Sequence, residues 1–359
     1  MEFELTSDLK GVELSYLPIG WIKDINSEAD LNVSGALGDG FVLDDISLNS
    51  SELVLVASAL RNKDESFVLN FEKLALRDVF DLQLVIKKDG SLDVTGGQLN
   101  MQEFLKLPLV KKSSKKSSPI TIYLDELKLY EKQIVTRFTA ALETSGKGKF
   151  SGSLNDLASF NGNIDRIDAG YSIVANSNNA GSFIRALGAA KAADGGSAQL
   201  NLRQLKDTPG LKGNLKIKNI RLRNMPALLE LLDAISIVGL IDQLQGPGLV
   251  LNEIEADFVN LQDQIKFEQA SAFGPSIGIS LEGYYAKATN NLNMQGVLSP
   301  LYVVNAIGSI FTRKGEGLLG FNYRLRGNAD RPEVLVNPLS IFSPAIFREI
   351  FRRPVPNLE

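Results

Sequence analysis

Chemistry needs acids, bases, nucleophiles or metal ligands held close together, and few places in this 359-residue chain bring such groups near in sequence. Asp44 and Asp45 are adjacent, and Asp165 and Asp168 are three apart. Paired carboxylates can bind Ca²⁺ or share acid–base work. The same residues also serve turns, and both pairs are read as turn residues. Gly146-Lys147-Gly148-Lys149 has the residue types of a phosphate loop but not its spacing. Gly38-Asp39-Gly40 reads as a hairpin turn. There is no His and no Cys. That rules out disulfides, zinc fingers, thiolate clusters, Cys nucleophiles, His-ligated metals and a Ser-His-Asp triad. Acid–base chemistry would fall to carboxylates, Lys or Tyr. The chain reads as a non-enzymatic protein with no cofactor and no metal. A chain without Cys is compatible with an oxidising compartment.

The elements that would position any site have a period of two. In Ile120-Thr121-Ile122-Tyr123-Leu124-Asp125, apolar residues alternate with polar or amphipathic ones. Phe67 to Phe71, Asp81 to Ile86, Leu211 to Lys218 and Phe321 to Arg326 read the same way. Such strands have one apolar face and one wet face, which predicts an antiparallel sheet. Gly follows a polar residue near the ends of these runs, as in Ser34-Gly35, Thr95-Gly96, Ser151-Gly152, Lys212-Gly213, Glu282-Gly283, Gln295-Gly296 and Arg326-Gly327. Glycine there supplies a positive φ for a turn or bulge that curves the sheet.

Helix signals are few. Asn224 to Leu244 starts with Asn, then Pro226, and carries a broad apolar face. Ala180 to Ala193 reads as a small-residue helix ended by Gly195-Gly196, and Pro300 to Phe311 as another. A last helix starts at Ser343-Pro344. Ile346, Phe347, Ile350 and Phe351 form its stripe, with Arg348, Arg352 and Arg353 off it. Lys111 to Pro119 is polar and rich in Lys and Ser. It divides the chain into an N-terminal β-repeat segment (1–110), a linker or loop (111–119) and a C-terminal region (120–359). The fold class is therefore mainly β. It is a long antiparallel meander with a few short amphipathic helices near the C-terminal half. Such helices cannot cover so wide a sheet. Its apolar face must pack on another sheet, curl on itself, or bind something greasy.

The net charge is −4, but it is uneven. Residues 1–100 hold 8 basic and 18 acidic side chains, and the remainder carries +6. A basic C-terminal part suits an anionic lipid surface. The acidic total, without basic and aromatic residues interleaved, argues against nucleic acid. The first residues lack the features of a signal peptide. The longest uncharged stretch, Ala288 to Thr312, is interrupted by Asn, Gln, Gly and Pro, so no transmembrane helix is expected.

From about Gly274 the residues form a series of motifs. Gly274-Pro275-Ser276 precedes Ile279-Ser280-Leu281-Glu282-Gly283. Gly296-Val297-Leu298-Ser299-Pro300-Leu301-Tyr302 and Asn305 follow, then Gly315-Glu316-Gly317-Leu318-Leu319-Gly320-Phe321-Asn322-Tyr323 and Gly327. Pro332 to Ser340, Ser343-Pro344 and Phe347-Arg348 complete the series. This stretch resembles the AsmA-like C-terminal region family (the AsmA, YhdP and TamB group), and is most similar to YhdP-like members. Residues 120–270 resemble the family loosely, and 1–110 more loosely still. The family's loop between the Asn and the Gly-Glu-Gly element looks shortened here to Ile307 through Lys314.

The resemblance implies a periplasmic, membrane-associated, curled β-sheet with an apolar groove. It implies lipid transport in outer-membrane biogenesis, as a bridge carrying phospholipid between inner and outer membrane surfaces. It also implies an upstream membrane-anchored partner or a missing N-terminal part. On this reading acyl chains lie against Ile120, Ile122, Leu124, Leu215, Ile217, Phe321 and Tyr323. The helices at 224–244, 300–311 and 344–353 would dock on a membrane. Ile346, Phe347, Ile350 and Phe351 would enter the interface, and Arg348, Arg352 and Arg353 would meet phosphates. Two alternatives are a scaffold that assists outer-membrane protein assembly and a carboxylate hydrolase. Replacing Arg348, Arg352 and Arg353 together by Glu is expected to weaken binding to anionic vesicles. Unchanged flotation would sink the docking reading.

Overall fold

The computed structural model describes all residues except 17–19, 38–40, 62–66, 109–116, 131, 189–191, 207, 237, 301–313, 315–318, 343–354 and 357–359. The protein is mainly β, and its chain forms two compact units, Met1–Asp156 and Leu157–Glu359. Four short helices lie among the described residues. The helices expected at 300–311 and 344–353 fall largely outside them, and Pro300 itself ends a strand.

The first unit opens with β1 (Glu2–Ser7) and a small hairpin of β2 (Leu14–Tyr16) and β3 (Trp21–Lys23). A meander follows, through β4 (Asp30–Leu37), β5 (Phe41–Asn49), β6 (Leu53–Arg61), β7 (Phe67–Leu76), β8 (Phe80–Lys87) and β9 (Leu92–Asn100). After α1 (Met101–Phe104) come β10 (Pro119–Tyr130), β11 (Gln133–Glu143) and β12 (Gly148–Leu154). Strand pairing is antiparallel, with β1 on β4, except that β10 lies parallel to β9. The chain between those two strands includes the Lys/Ser-rich segment. A register shift interrupts each of the five pairings from β4 to β9. Bulges bend a strand and increase its twist, so repeating one on successive strands curls the sheet.

One end of this sheet face is plugged. Leu9, Trp21 and Ala29, in and around the small hairpin, pack with Leu48, Leu53, Leu76 and Phe80. Lys23 in that hairpin is buried, which is costly for an ammonium unless its donors are met. Its Nζ donates to the carbonyls of Val12 (2.9 Å), Asp24 (3.1 Å) and Ser27 (2.5 Å).

The second unit is an antiparallel meander of ten strands. They are β13 (Ala158–Ile167), β14 (Gly170–Ser177), β15 (Ala192–Gln204), β16 (Gly210–Arg223), β17 (Leu249–Leu261), β18 (Gln264–Phe273), β19 (Ile277–Ala286), β20 (Asn291–Pro300), β21 (Phe321–Asn328) and β22 (Glu333–Asn337). Between them lie α2 (Ala180–Ala186), α3 (Pro226–Ala234) and α4 (Val238–Gln245). Two helix expectations need correction. The helix expected over 224–244 is two helices, because Ser236 takes φ +59°. The run Ile235-Ser236-Ile237-Val238 has low helix propensity. The helix expected over 180–193 stops at Ala186, where Gly188 takes φ +73° and closes the end. Gly195 and Gly196 instead lie inside β15.

These helices fill the hollow of a curled sheet. Leu228, Leu231, Leu232, Leu240 and Leu244 share one core with Ile217, Ile220, Leu249 and Leu251 on β16 and β17. The same core takes in Leu298, Tyr323 and Leu325 on β20 and β21. Helix α4 touches β16 and β17, whereas α3 touches β22. Strands far apart in the meander thus meet across the helices, which a flat sheet cannot achieve. Each fully buried Leu contributes about 1.5–3 kcal/mol.

Two glycines serve space rather than turning. Gly213 sits mid-strand, and a Cβ there would lie 2.2 Å from the Phe258 ring. Gly296 lies under Tyr323, whose hydroxyl donates to the Ser280 carbonyl at 2.7 Å. A Cβ on Gly296 would sit 1.9 Å from that carbonyl oxygen, which is backbone and cannot swing away. Gly296→Ala is therefore expected to destabilise the protein by about 1–3 kcal/mol. Urea unfolding reads this directly, and an unchanged midpoint would contradict it.

Candidate functional site: two apolar sheet faces

In the first unit one cross-strand row is apolar on every strand from β4 to β12. Its members are Val33, Ile46, Ala57, Phe71, Leu84, Val94, Ile122, Ala140 and Phe150, each paired with the next. Leu5 on β1 extends it. Neighbouring strands lie about 4.8 Å apart, so nine strands give a row about 40 Å long. Ala57 and Ala140 are buried between larger neighbours in the row, whereas Ile46, Phe71, Ile122 and Phe150 are half-buried. The one helix described in this unit is four residues long and touches β9 and β10.

The second unit repeats the arrangement. Ile164, Ile173, Leu202, Gly213, Phe258, Phe267, Gly283, Met294, Leu325 and Val334 form one row across its ten strands. The rings of Phe258 and Phe267 meet at 6.3 Å. Met294 and Leu325 are buried, but Ile164, Ile173, Leu202, Phe258 and Phe267 are half-buried. Met294 and Leu325 belong to the helix-filled core, and Phe267 and Val334 pack against it, so the row runs into that core at its β18–β22 end.

Part of the opposite face is polar. In the second unit Asn176, Gln199, Lys216, Glu255, Ser271 and Ser280 are successive neighbours. Lys314 reaches this face, with Nζ 2.6 Å from Glu253 and bonded also to Glu255. Lys216 pairs with Glu253 at 3.3 Å. Hydrogen bonds from Lys314 hold both carboxyls below their ordinary range, against the opposing effect of burial. Burial alone would lower the Lys314 pKa, but its bonds to the two carboxylates outweigh this and raise it.

The sequence-derived groove residues divide between the units. Ile120, Ile122 and Leu124 lie on β10, with Leu124 buried and the other two half-buried. Leu215, Ile217 and Tyr323 join the helix-filled core, and Phe321 lies half-buried opposite Leu298. Ile217 and Tyr323 are buried side chains of that core. Ile346, Phe347, Arg348, Ile350, Phe351, Arg352 and Arg353 fall outside the described residues. Sequence reasoning missed Phe71, Phe150, Phe258 and Phe267. Alternation was read over Phe71 alone, and only pairing aligns the four.

The carboxylate pairs have ordinary surroundings. Asp44 and Asp45 are exposed on β5 beside a register shift. Asp165 accepts from Asn163 at 3.0 Å, and Asp168 lies in the turn after β13. Gly146 and Lys147 form the β11–β12 turn, where Gly146 donates to the Glu143 carbonyl. Among the described residues no group of three or more acidic side chains is placed to hold a metal ion. No helix among them is long and apolar enough to cross a membrane.

Fold and site define a β-meander protein whose curled sheets carry apolar rows on one face. Comparison with protein-family models, curated proteins and solved structures finds no match.

The lowered carboxyl pKa values fix a pH dependence. A depressed folded-state value means stability that is full above the ordinary value near 4.5 and is lost as pH falls through the lower folded value. Urea midpoints are expected to decline below about pH 4.5. Glu253→Gln with Glu255→Gln should flatten that decline. An equally steep decline in the double variant would contradict the assignment.

Proposed function

We propose that the chain is a periplasmic lipid-transfer module that carries phospholipid acyl chains along its apolar sheet faces between two membrane surfaces. The observation that carries this reading is the nine-strand apolar row of the first unit, which has no helix laid along its length among the described residues. An acyl chain in water costs about 0.8 kcal/mol per methylene, on the order of 10 kcal/mol for a long chain. A bilayer's hydrocarbon core of about 30 Å allots each acyl chain about half that thickness. The row of about 40 Å is longer than one such chain. A tail can therefore move from one strand's contacts to the next without returning to water. No bond is made or broken, so transfer requires no catalytic group. The C-terminal resemblance to AsmA-like proteins supports the same reading and supplies the periplasmic setting, the inner and outer membranes as donor and acceptor, and an upstream membrane-anchored partner.

The test is native mass spectrometry of the purified chain, with solvent extraction of what co-purifies. Bound phospholipid is expected. Ile122→Lys should reduce it severalfold, because Ile122 lies in the row and is only half-buried. Its neighbour Thr121 is exposed on the other face, and Thr121→Lys should leave binding unchanged. Absence of lipid from the wild-type chain, or equal loss in both variants, would overturn the proposal.

A further inference from the structure

The polar face of the second unit holds a cavity of 300 Å³ whose walls include Glu282, Gln295, Asn322, Arg324, Arg326 and Asn337. It lies on the side of β19–β22 away from the apolar row. The alternation Asn322, Arg324, Arg326 on β21 places three long polar side chains on one face, successive ones about 7 Å apart. Two polar atoms of the residues that line it are unpartnered. The Nε of Arg326 and the Oδ1 of Asn322 are buried and have no hydrogen-bond partner. Leaving such atoms unmet costs free energy that a ligand with the complementary groups would recover. Arg324 donates from Nε to Asn293 at 3.3 Å, which leaves its terminal nitrogens outside that bond. Among the described residues neither guanidinium has a carboxylate within ion-pair distance, whereas Gln295 donates to the buried Glu282 at 3.0 Å.

Arginine forks suit phosphate oxygens better than any other side chain does. The amide oxygen of Asn322 requires a donor, and the carboxylate of Glu282 favours a cation over a second anion. A volume of 300 Å³ is at the small end for a ligand site and admits a polar head rather than a whole lipid. We propose that this cavity binds a phosphate ester that carries an amine or hydroxyl close to the phosphate, as phosphoethanolamine does. Arg324 and Arg326 grip the phosphate, and Asn322 accepts from the amine or hydroxyl. The sheet separates this cavity from the apolar row, so the site is additional to the acyl-chain path and stands independently of it.

The experiment is calorimetric titration of the full chain with O-phosphoethanolamine, with inorganic phosphate in parallel. Saturable one-site binding is expected, tighter for the ester than for phosphate. The double variant R324Q/R326Q should lose at least about tenfold in affinity, since charge-assisted bonds are the strong ones. Its thermal midpoint should fall only slightly, because among the described residues neither guanidinium closes an ion pair and only the 3.3 Å bond from Arg324 to Asn293 is lost. R326K, which keeps the charge but not the fork, should fall in between. No saturable binding, binding unchanged in the double variant, or equal affinity for inorganic phosphate would overturn the proposal. Flotation with phosphatidylethanolamine vesicles separates the two sources of this chemistry. Flotation that drops in the double variant assigns a lipid headgroup. Ester binding without such a drop assigns a free soluble ester. Ile122→Lys should leave the titration unchanged, so failure of the acyl-chain path and failure of this site give different results.

Discussion

The structure depends on one constraint: a sheet that is apolar on one face only must keep that face from water along its whole width. Nine strands in the first unit and ten in the second each contribute a residue to an unbroken apolar row. Short helices cannot roof such a width. The protein meets the constraint by bending. Repeated register shifts curl the first unit's meander, and in the second unit β16–β17 and β20–β21 close on a common core. The hairpin around Trp21 and helices α3 and α4 then plug one end of each face. Within the rows Ile46, Phe71, Ile122 and Phe150, and Ile164, Ile173, Leu202, Phe258 and Phe267, stay half-buried.

The same alternation builds the second face. Every residue that faces inward to the row puts its neighbours outward, and on that outer face of the second unit Asn176, Gln199, Lys216, Glu255 and Ser271 run side by side. Surface ion pairs there contribute little singly. The Lys314 cluster differs, because Glu253 and Glu255 are mostly buried and share one ammonium. Where that face becomes buried, on β19–β21, the polar side chains surround a cavity. The proposed acyl path on one face and the proposed phosphate-ester site on the other would both follow from a period-two sequence. Neither requires His, Cys or a metal.

Much of this was legible from the sequence, for physical reasons. Alternation at Phe67–Phe71, Ile120–Leu124, Leu211–Lys218 and Phe321–Arg326 identifies strands, because burial of one face leaves a period-two signature within a few residues. Helix ends were less legible. Ser236 breaks a good amphipathic pattern by taking a left-handed conformation, and Gly188 stops α2 before the more conspicuous Gly195-Gly196. The rows themselves were not legible. Whether Phe71 lies beside Leu84, or Ile122 beside Val94, depends on register between distant segments, and the second pairing is parallel across a polar insertion. A mid-strand glycine carries the same symbol whether it turns the chain or admits a neighbour. Gly213 admits the Phe258 ring, and Gly296 lies beneath Tyr323. The cavity around Arg324 and Arg326 had a signal in the polar spacing Asn322, Arg324, Arg326, but it reads as an ordinary wet face until burial is known.

The most direct measurement is photo-crosslinking to phospholipid from single positions. A photoreactive residue at 71 or 122, on the apolar row, would be compared with one at 121 on the opposite face of the same strand as 122. The account predicts lipid adducts from 71 and 122 and none from 121, identified by mass spectrometry of the intact chain. Equal labelling from both faces, or adducts from 121 alone, would contradict the claim that the inner face is the path.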